Sequence, residues 1–284
     1  MNAQSTINKI RNNFKDIPGV VGVVLGGPRA VGLHRPNSDI DIRIYYDDLL
    51  GFDMDKVNEV VTKMDNEKRN NLVAPLGEWG PWDNTGGTLK IRDYQVNLVF
   101  RDIKKVSQVV DDCLSGNITP YYHRGHPHAF INLIYMGEIS VCRILVDTEN
   151  QIAGLNSKTF PYPEILKEKI IKHFIYESEI SLDLAKANIG ERDLSYVAGQ
   201  CYRSVASLNQ VLFALNEQYC IDEKGATGRI ANFENKPEDY RIRVDEIFDL
   251  LSIDRSSTEK ALNILEELVG ETKAFLKEAK NPLN

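Results

Sequence analysis

LGGPRAVGLHRPNSDIDIRI, residues 25–44, is the stretch of this sequence that decides its fold. The apolar, β-branched run at 20–25 predicts a short buried strand that ends at Gly26 and Gly27. A second predicted strand, DIDIRIYY at 39–46, follows a polar loop and begins with two aspartates. The order of strand, paired glycines, loop and acidic strand is far more restrictive than an Asp-x-Asp pair alone.

The second predicted strand alternates strictly between polar and apolar residues. Because successive side chains in a strand point to opposite faces, Asp39, Asp41 and Arg43 share one face and the isoleucines share the other. The two carboxylates are then close enough to share a divalent cation, and such hard oxygen ligands suit Mg²⁺ that also binds substrate phosphates. The glycines let the backbone come close to a ligand and point N–H groups at phosphate oxygens.

This combination resembles the signature of the polymerase-beta-like nucleotidyltransferase superfamily, in which a Gly-Gly or Gly-Ser turn precedes Asp-x-Asp and a third carboxylate on a later strand. The length and the helical second half are similar to bacterial antibiotic nucleotidyltransferases, which act on aminoglycosides or lincosamides. The resemblance implies metal-assisted transfer of a nucleoside monophosphate from an NTP, such as ATP, to a hydroxyl of a small-molecule acceptor. It also implies Mg²⁺ or Mn²⁺ as the cofactor and antibiotic resistance as one role for such an enzyme.

The resemblance also implies roles for individual residues. Asp39 and Asp41 correspond to the catalytic metal ligands, and Asn97 lies where the third carboxylate is expected. Ser38 is expected to fix the turn before the strand. Independently of the resemblance, Arg29 lies just past the glycines and could meet phosphate oxygens, with an ordinary surface arginine as the alternative. The predicted nucleotide-binding residues are Gly26, Gly27, Arg29 and Ser38.

Two positions depart from the superfamily pattern. Pro28, where serine is common, offers phosphate neither a hydroxyl nor an N–H. Asn97 in the run QVNLVF cannot take a proton as a general base, a loss that typically costs about 10²–10⁴-fold in rate. Asp93 or Glu78 is a candidate substitute, although each is also expected as a solvated loop residue. The rival hypothesis is therefore a degenerate nucleotide-binding protein without turnover.

Other candidate residues lie outside this motif. His123, His126 and His128 could hold zinc, line a pocket or belong to a plain polar loop, and no cysteine has ligand spacing with them. Trp79 and Trp82 could stack on a base, or they could pack within their Gly-rich loop. The acidic residues of the helical half are expected to form a solvated face, although a cationic acceptor would favour them: Glu177, Glu179 and Asp183.

The pattern along the chain predicts an α+β fold with two domains. Residues 1–155 are expected to form a nucleotidyltransferase-like domain, a mixed β-sheet with flanking helices, and residues 156–284 a helical bundle. Helices are predicted at 5–16, 53–66, 104–113, 164–188, 192–219, 239–251 and 257–279. Further strands are predicted at 88–91 and 95–100, and the run ISVCRILVD at 139–147 also reads as a strand.

Composition excludes some classes of function. The 284 residues are 42% apolar and 26% charged, which is typical of an ordinary globular protein. No apolar run reaches the roughly 20 residues needed to cross a bilayer, and no signal segment is evident, so a cytoplasmic protein with reduced cysteines is expected. The net charge of −7 disfavours nucleic acid as a partner. The acceptor, the preferred nucleotide and the oligomeric state stay open, and a protein acceptor is an alternative.

Overall fold

The computed structural model describes residues 3–190 and 193–280. Its strands are β1 (Val20–Leu25), β2 (Ile40–Tyr46), β3 (Thr85–Ile91), β4 (Tyr94–Asp102), β5 (Pro120–His123), β6 (His126–Ile131) and β7 (Arg143–Asp147). Its shorter helices are α1 (Ala3–Phe14), α2 (Gly27–Ala30), α3 (Met54–Met64), α4 (Gly80–Asp83), α5 (Ile103–Leu114), α6 (Leu133–Val141), α7 (Gln151–Ser157), α10 (Ala226–Ile230) and α11 (Tyr240–Leu250). The three long helices are α8 (Glu164–Asn188), α9 (Leu194–Leu215) and α12 (Arg255–Lys280).

The chain forms two compact units. The sheet unit takes in the residues up to Asp111 together with Tyr135–Pro161, and the helical unit takes in Asp112–Ile134 together with the residues from Tyr162 onward. Each unit has its own hydrophobic core. The boundary at 155/156 between independently folding domains stays a prediction.

The sheet unit is built on five strands in the order β3-β4-β2-β1-β7. Only β2 and β4 run parallel, and the other neighbours are antiparallel, so the sheet is mixed. In β2 the isoleucines are buried in the core, whereas Asp41 and Arg43 lie half-buried on the opposite face. The predicted α+β class, a mixed sheet followed by helices, is confirmed.

Two helices cover the apolar face of the sheet. In α1 the buried side chains Ile7, Ile10 and Phe14 recur at helical spacing, and they join the same core as the isoleucines of β2. α3 begins after Asp53, whose carboxylate accepts hydrogen bonds from the first backbone N–H groups of the helix. These helices leave the opposite face, with Asp41 and Arg43, free of this packing.

The helical unit combines the β5–β6 hairpin with five helices, and α8 packs along α9. The helix predicted at 192–219 ends earlier, at Leu215, because the chain leaves helical geometry at Glu217, which has a φ of +54°. The Asn216 side chain donates to the carbonyls of Leu212 and Asn235 at this end. Residue 192 lies outside the described residues. None of the helices in the described part of the chain combines the length and apolar character that a membrane crossing requires.

One predicted strand was wrong in its extent. The run at 139–147 was expected to be a strand throughout, but residues 139–141 still belong to α6, and only Arg143–Asp147 pairs with β1. Ile139 is fully buried, so its apolar character serves a helix rather than a sheet. A short apolar run does not distinguish a buried helix end from a buried strand.

Candidate active site

The predicted acidic residues meet Asn97 on one face of the sheet. β2 and β4 are parallel neighbours, and their register places Asp41 opposite Asn97. The Nδ2 group of Asn97 donates to Oδ1 of Asp41 at 3.1 Å and to Oδ2 of Asp39 at 3.3 Å. Gln95 Nε2 also donates to Asp39 Oδ2, at 2.9 Å, and Thr88 Oγ1 lies 3.1 Å from Asn97 Oδ1. The two carboxylates thus accept hydrogen bonds from neutral side-chain amides.

The paired glycines lie directly against Asp41. The backbone N–H of Gly26 donates to the carbonyl of Asp41 at 2.8 Å, which joins the end of β1 to β2. Gly27 has a φ of +60°, and a Cβ at this position would lie 2.2 Å from Asp41 Oδ2. Glycine is therefore required both by the backbone conformation and by the neighbouring carboxylate. Pro28 falls in the first turn of α2, where a missing N–H leaves no helical hydrogen bond unmade.

Arg29 is buried, with 8% of its surface exposed. Its Nε donates to the carbonyls of Ser38 at 3.1 Å and Asp39 at 3.0 Å, and its Nη2 donates to the carbonyl of Pro36 at 3.0 Å. The surface-arginine alternative is wrong, because this guanidinium group holds the loop that leads into Asp39. These bonds give Arg29 a positioning role, while its contact with nucleotide stays a prediction.

Ser38 lies in the same loop. Its Oγ accepts from the backbone N–H of Arg35 at 3.0 Å, and its own N–H donates to the carbonyl of Arg35 at 3.0 Å. The side chain therefore closes a turn just before Asp39, the arrangement that the resemblance implies for it. A direct contact between Ser38 and nucleotide stays a prediction.

Arg43 is a candidate site residue that the sequence pattern did not indicate. It shares the face of Asp39 and Asp41, and its Nη1 lies 3.8 Å from the place that a Cβ on Gly26 would take. Its Nε and Nη2 donate to Glu138 Oε1 at 3.3 and 3.2 Å. The alternation of β2 already placed Arg43 on this face, but nothing in the sequence pairs it with Glu138, which is 95 residues away.

Glu138 in turn is fixed by Arg101. The Nη2 group of Arg101 donates to Glu138 Oε2 at 3.1 Å, and Arg101 is 2% exposed. Burial alone would raise the pKa of Glu138, but the guanidinium groups of Arg101 and Arg43 outweigh burial and hold that pKa below its usual value. Glu138 therefore stays ionised, and it orients Arg43 beside the glycine turn.

The donor set at Asp39 and Asp41 fits a hard cation. Within residues 3–190 and 193–280, no group of three or more His, Cys, Asp or Glu side chains is placed to hold a metal by itself. Two carboxylates suit Mg²⁺ that keeps waters and binds substrate phosphates, but the amide of Asn97 supplies no third anionic ligand. The site fits one cation bound together with nucleotide better than a closed metal site.

The histidines lie elsewhere, in the helical unit. The rings of His123 and His126 meet edge to face with centroids 5.8 Å apart, and His128 Nε2 lies 2.9 Å from Glu177 Oε1. The zinc alternative gains no support, because the described residues hold no three-ligand cluster. Of the tryptophans, Trp82 is buried edge-on against Tyr135, as loop packing predicts.

The remaining candidates are the possible substitute bases and the partly exposed tryptophan. Asp93 lies in the exposed turn between β3 and β4, and Glu78 is exposed before α4. Trp79 covers Gly86, where a Cβ would lie 2.3 Å from its ring, although 41% of Trp79 is exposed. The structure therefore brings together Asp39, Asp41, Asn97 and the glycines, and it adds Arg43.

Comparison with known proteins agrees with this geometry. Residues 7–114 match the family model of the nucleotidyltransferase domain, a span that holds both glycines, both aspartates and Asn97. This match supports the superfamily resemblance and, at a coarse level, nucleotidyl transfer. No curated protein is significantly similar in sequence. A solved structure, the nucleotidyltransferase-like protein from Exiguobacterium sibiricum, is similar at 11% identity and a TM-score of 0.47, over 99% of this chain and 81% of that one.

Proposed function

We propose that this chain transfers a nucleoside monophosphate from an NTP to a hydroxyl of a small-molecule acceptor, with Mg²⁺ or Mn²⁺ held by Asp39 and Asp41. One observation carries the proposal: the Asp41 carboxylate lies against the Gly27 turn inside the span that matches the nucleotidyltransferase domain. The cation, when bound, would offset charge that develops on the transferred phosphate.

The residues around the carboxylates each have a proposed task. Gly26 and Gly27 let the triphosphate approach the backbone, and Arg43 offers its Nη1 to phosphate oxygens beside that turn. Glu138 orients Arg43 through its Nε and Nη2. Arg29 and Ser38 belong to the nucleotide-binding set because they fix the loop that delivers Asp39.

A second candidate function is nucleotide binding without turnover. The observation that favours it is the amide of Asn97, which bonds both carboxylates and cannot accept a proton from the acceptor hydroxyl. Under the first proposal the transfer is slow for the same reason. The two proposals share the nucleotide site and differ only in chemistry.

The acceptor is proposed by class only. An antibiotic is one small molecule of that class, by analogy with the transferases that the sequence resembles. The net charge of −7 disfavours nucleic acid, and a protein acceptor is the remaining alternative. All four cysteines are free thiols, which agrees with the proposed cytoplasmic location.

Calorimetric titration with ATP, GTP, CTP and UTP, with and without Mg²⁺, tests the nucleotide site. We expect Mg²⁺-dependent binding of at least one nucleotide, and a loss of about tenfold to a hundredfold or more in Asp39→Asn and Asp41→Asn, since even outer groups around a metal cost that much. Asp93→Asn removes the same charge from the exposed β3–β4 turn and is the matched control. Unchanged affinity in both site variants would contradict the proposal.

A further inference from the structure

The helical unit contains a cavity of about 890 Å³ that the nucleotide site does not use. One wall is a stripe of α8 whose residues recur at three- and four-residue spacing, from Lys169 to Leu184, and α9 supplies Gln200 and Arg203. Sites for small organic ligands typically measure about 300–1,000 Å³. The cavity therefore has the size of a small-molecule site.

The charged groups of the lining are mostly cationic. Lys169, Lys172 and Arg203 face one carboxylate, that of Glu177, and His173 adds an imidazole. Both lysines are exposed, and within the described ranges neither forms an ion pair with another side chain. The stem of Lys169 rests on Gly116, where a Cβ would lie 2.7 Å from Lys169 Cγ, so this lysine is held beside the cavity. The lining is basic although the chain as a whole carries a net charge of −7.

The single carboxylate of the lining is already neutralised by its neighbours. Glu177 Oε1 lies 2.7 Å from Arg203 Nε and 2.9 Å from His128 Nε2, and Glu177 Oε2 lies 3.5 Å from His173 Nε2. Burial alone would raise the pKa of Glu177, but the hydrogen bond from His128 and the nearby cations hold it below its usual value. Among the residues that the structure describes, the ammonium groups of Lys169 and Lys172 have no anionic partner.

The acidic residues singled out in the sequence, which were expected to form a solvated face, give the alternative of a cationic acceptor no support at this cavity. Glu177 pairs with Arg203, Glu179 pairs with Lys273, and neither Glu179 nor Asp183 lines the cavity. The charge that a ligand would meet is positive. Charge complementarity therefore selects an anion.

The rest of the lining is mostly apolar, and Ser181 and Gln200 add polar groups. Tyr176, Ile180 and Leu184 are 66%, 41% and 39% exposed, and they offer a surface for a ring or an aliphatic chain. Oε1 of Gln200 is buried and has no hydrogen-bond partner among the described residues. An unpaired buried acceptor is costly, and a ligand N–H or O–H would satisfy it.

We propose that this cavity binds a small organic anion, in which a carboxylate, phosphate or sulfonate group meets Lys169 and Lys172. The apolar part of the ligand lies on Tyr176, Ile180 and Leu184, and a donor group of the ligand meets Gln200. This binding does not depend on nucleotidyl transfer, so it holds or fails independently of the proposed activity.

Two fluorescent probes with the same ring system test the proposal on the full chain. 8-Anilinonaphthalene-1-sulfonate carries an anionic group and an N–H donor, and N-phenyl-1-naphthylamine lacks the sulfonate. We expect saturable binding of the sulfonate probe that weakens about tenfold in Lys169→Glu/Lys172→Glu, because each reversal replaces an attraction with a repulsion. The neutral probe should bind the parent protein and this double variant with equal affinity.

Lys260→Glu/Lys277→Glu on α12 is the matched control, since it makes the same change in net charge at two exposed lysines. Lys169→Met/Lys172→Met keeps the side-chain stems and should give a smaller loss, and circular dichroism melts show whether each variant is folded. An equal loss in the control, an equal loss for the neutral probe, or no loss in either lysine variant would overturn the proposal.

Discussion

The carboxylates of the candidate active site and the carboxylate of the helical cavity accept hydrogen bonds from different kinds of donor. In the sheet unit, Asp39 and Asp41 accept hydrogen bonds from the amides of Asn97 and Gln95, which carry no charge. In the helical unit, Glu177 is bonded by an arginine and by a histidine. Neutral donors leave the charge of a carboxylate available to a cation, whereas cationic donors cancel it. The sheet face is thus suited to a metal ion, and the helical cavity to an anion.

The same contrast holds within the sheet unit. Glu138 is buried between Arg43 and Arg101, and Asp65 is bonded by Arg69. These carboxylates stabilise the fold and offer no charge to a ligand. The kind of partner, rather than the unit in which a carboxylate lies, separates proposed site residues from structural ones.

Adding a charge to the acidic face should have the largest effect. In Asn97→Asp a third carboxylate replaces the amide and supplies a proton acceptor, so we expect turnover to rise by about 10²–10⁴-fold with Mg²⁺. Release of pyrophosphate from the NTP that binds best measures this change. Gln95→Glu adds the same charge beside Asp39 but not opposite Asp41, and should give little gain. Unchanged turnover in Asn97→Asp would favour binding without chemistry.

Removing a carboxylate that is paired with arginines tests whether such carboxylates stabilise the fold. Glu138→Gln leaves the guanidinium groups of Arg43 and Arg101 without their anion, and breaking a buried ion pair costs about 3–5 kcal/mol. Urea denaturation should show a loss of that size in the free energy of unfolding. Glu59→Gln breaks an exposed pair with Lys63 and should change it by less than about 0.5 kcal/mol. A loss below about 1 kcal/mol in Glu138→Gln would show that the network does not hold the fold.

Displacing an aspartate without changing any charge is a finer test. In Gly27→Ala the new Cβ would lie 2.2 Å from Asp41 Oδ2, so the carboxylate must move. We expect the affinity for the Mg²⁺-nucleotide complex to fall about tenfold to a hundredfold. Gly32→Ala imposes a similar strain at φ +76° with nothing within 4 Å, which separates the clash from the backbone cost. Equal effects of the two substitutions would argue against a close approach of Asp41 to the turn.

The smallest effect concerns acid stability. The hydrogen bonds from the Arg69 side chain lower the pKa of Asp65. Burial opposes this shift, and the hydrogen bond from the backbone N–H of Lys90 adds to it. Since the unfolded aspartate titrates near pH 4, the stabilisation is complete above that pH and is lost as the pH falls toward the folded pKa. We expect a contribution of about 1 kcal/mol after solvent screening, seen as a flatter pH dependence of unfolding in Asp65→Asn between pH 5 and 2. A slope equal to that of the parent protein would assign the acid sensitivity to other groups.

Local patterns predicted much of the fold and the centre of the site. Strict alternation placed Asp39, Asp41 and Arg43 on one face, and helical spacing placed α1 and α3 over the other. The superfamily resemblance placed Asn97 at the third-carboxylate position, and the parallel register of β2 and β4 sets it opposite Asp41; its catalytic role stays a prediction.

Contacts between residues far apart in the chain could not be predicted from the sequence. Glu138 meets Arg43 across 95 residues, and β7 pairs with β1 although the middle of the chain separates them. The burial of Arg29 was missed because an arginine after a glycine turn is normally exposed, and only the folded loop supplies the carbonyls that it bonds. Hydrogen bonds between distant segments leave no periodic trace in the chain.

The pairing of β1 with β7 has a practical consequence for truncated forms of the protein. A fragment cut at residue 114, where the family match ends, would lack Arg143–Asp147. One edge of β1, whose six residues VVGVVL are all buried in the intact chain, would then face water with its backbone groups unpaired. Such an apolar, uncharged edge is a template for intermolecular pairing, so this fragment should aggregate. A soluble fragment of the sheet unit therefore has to include β7.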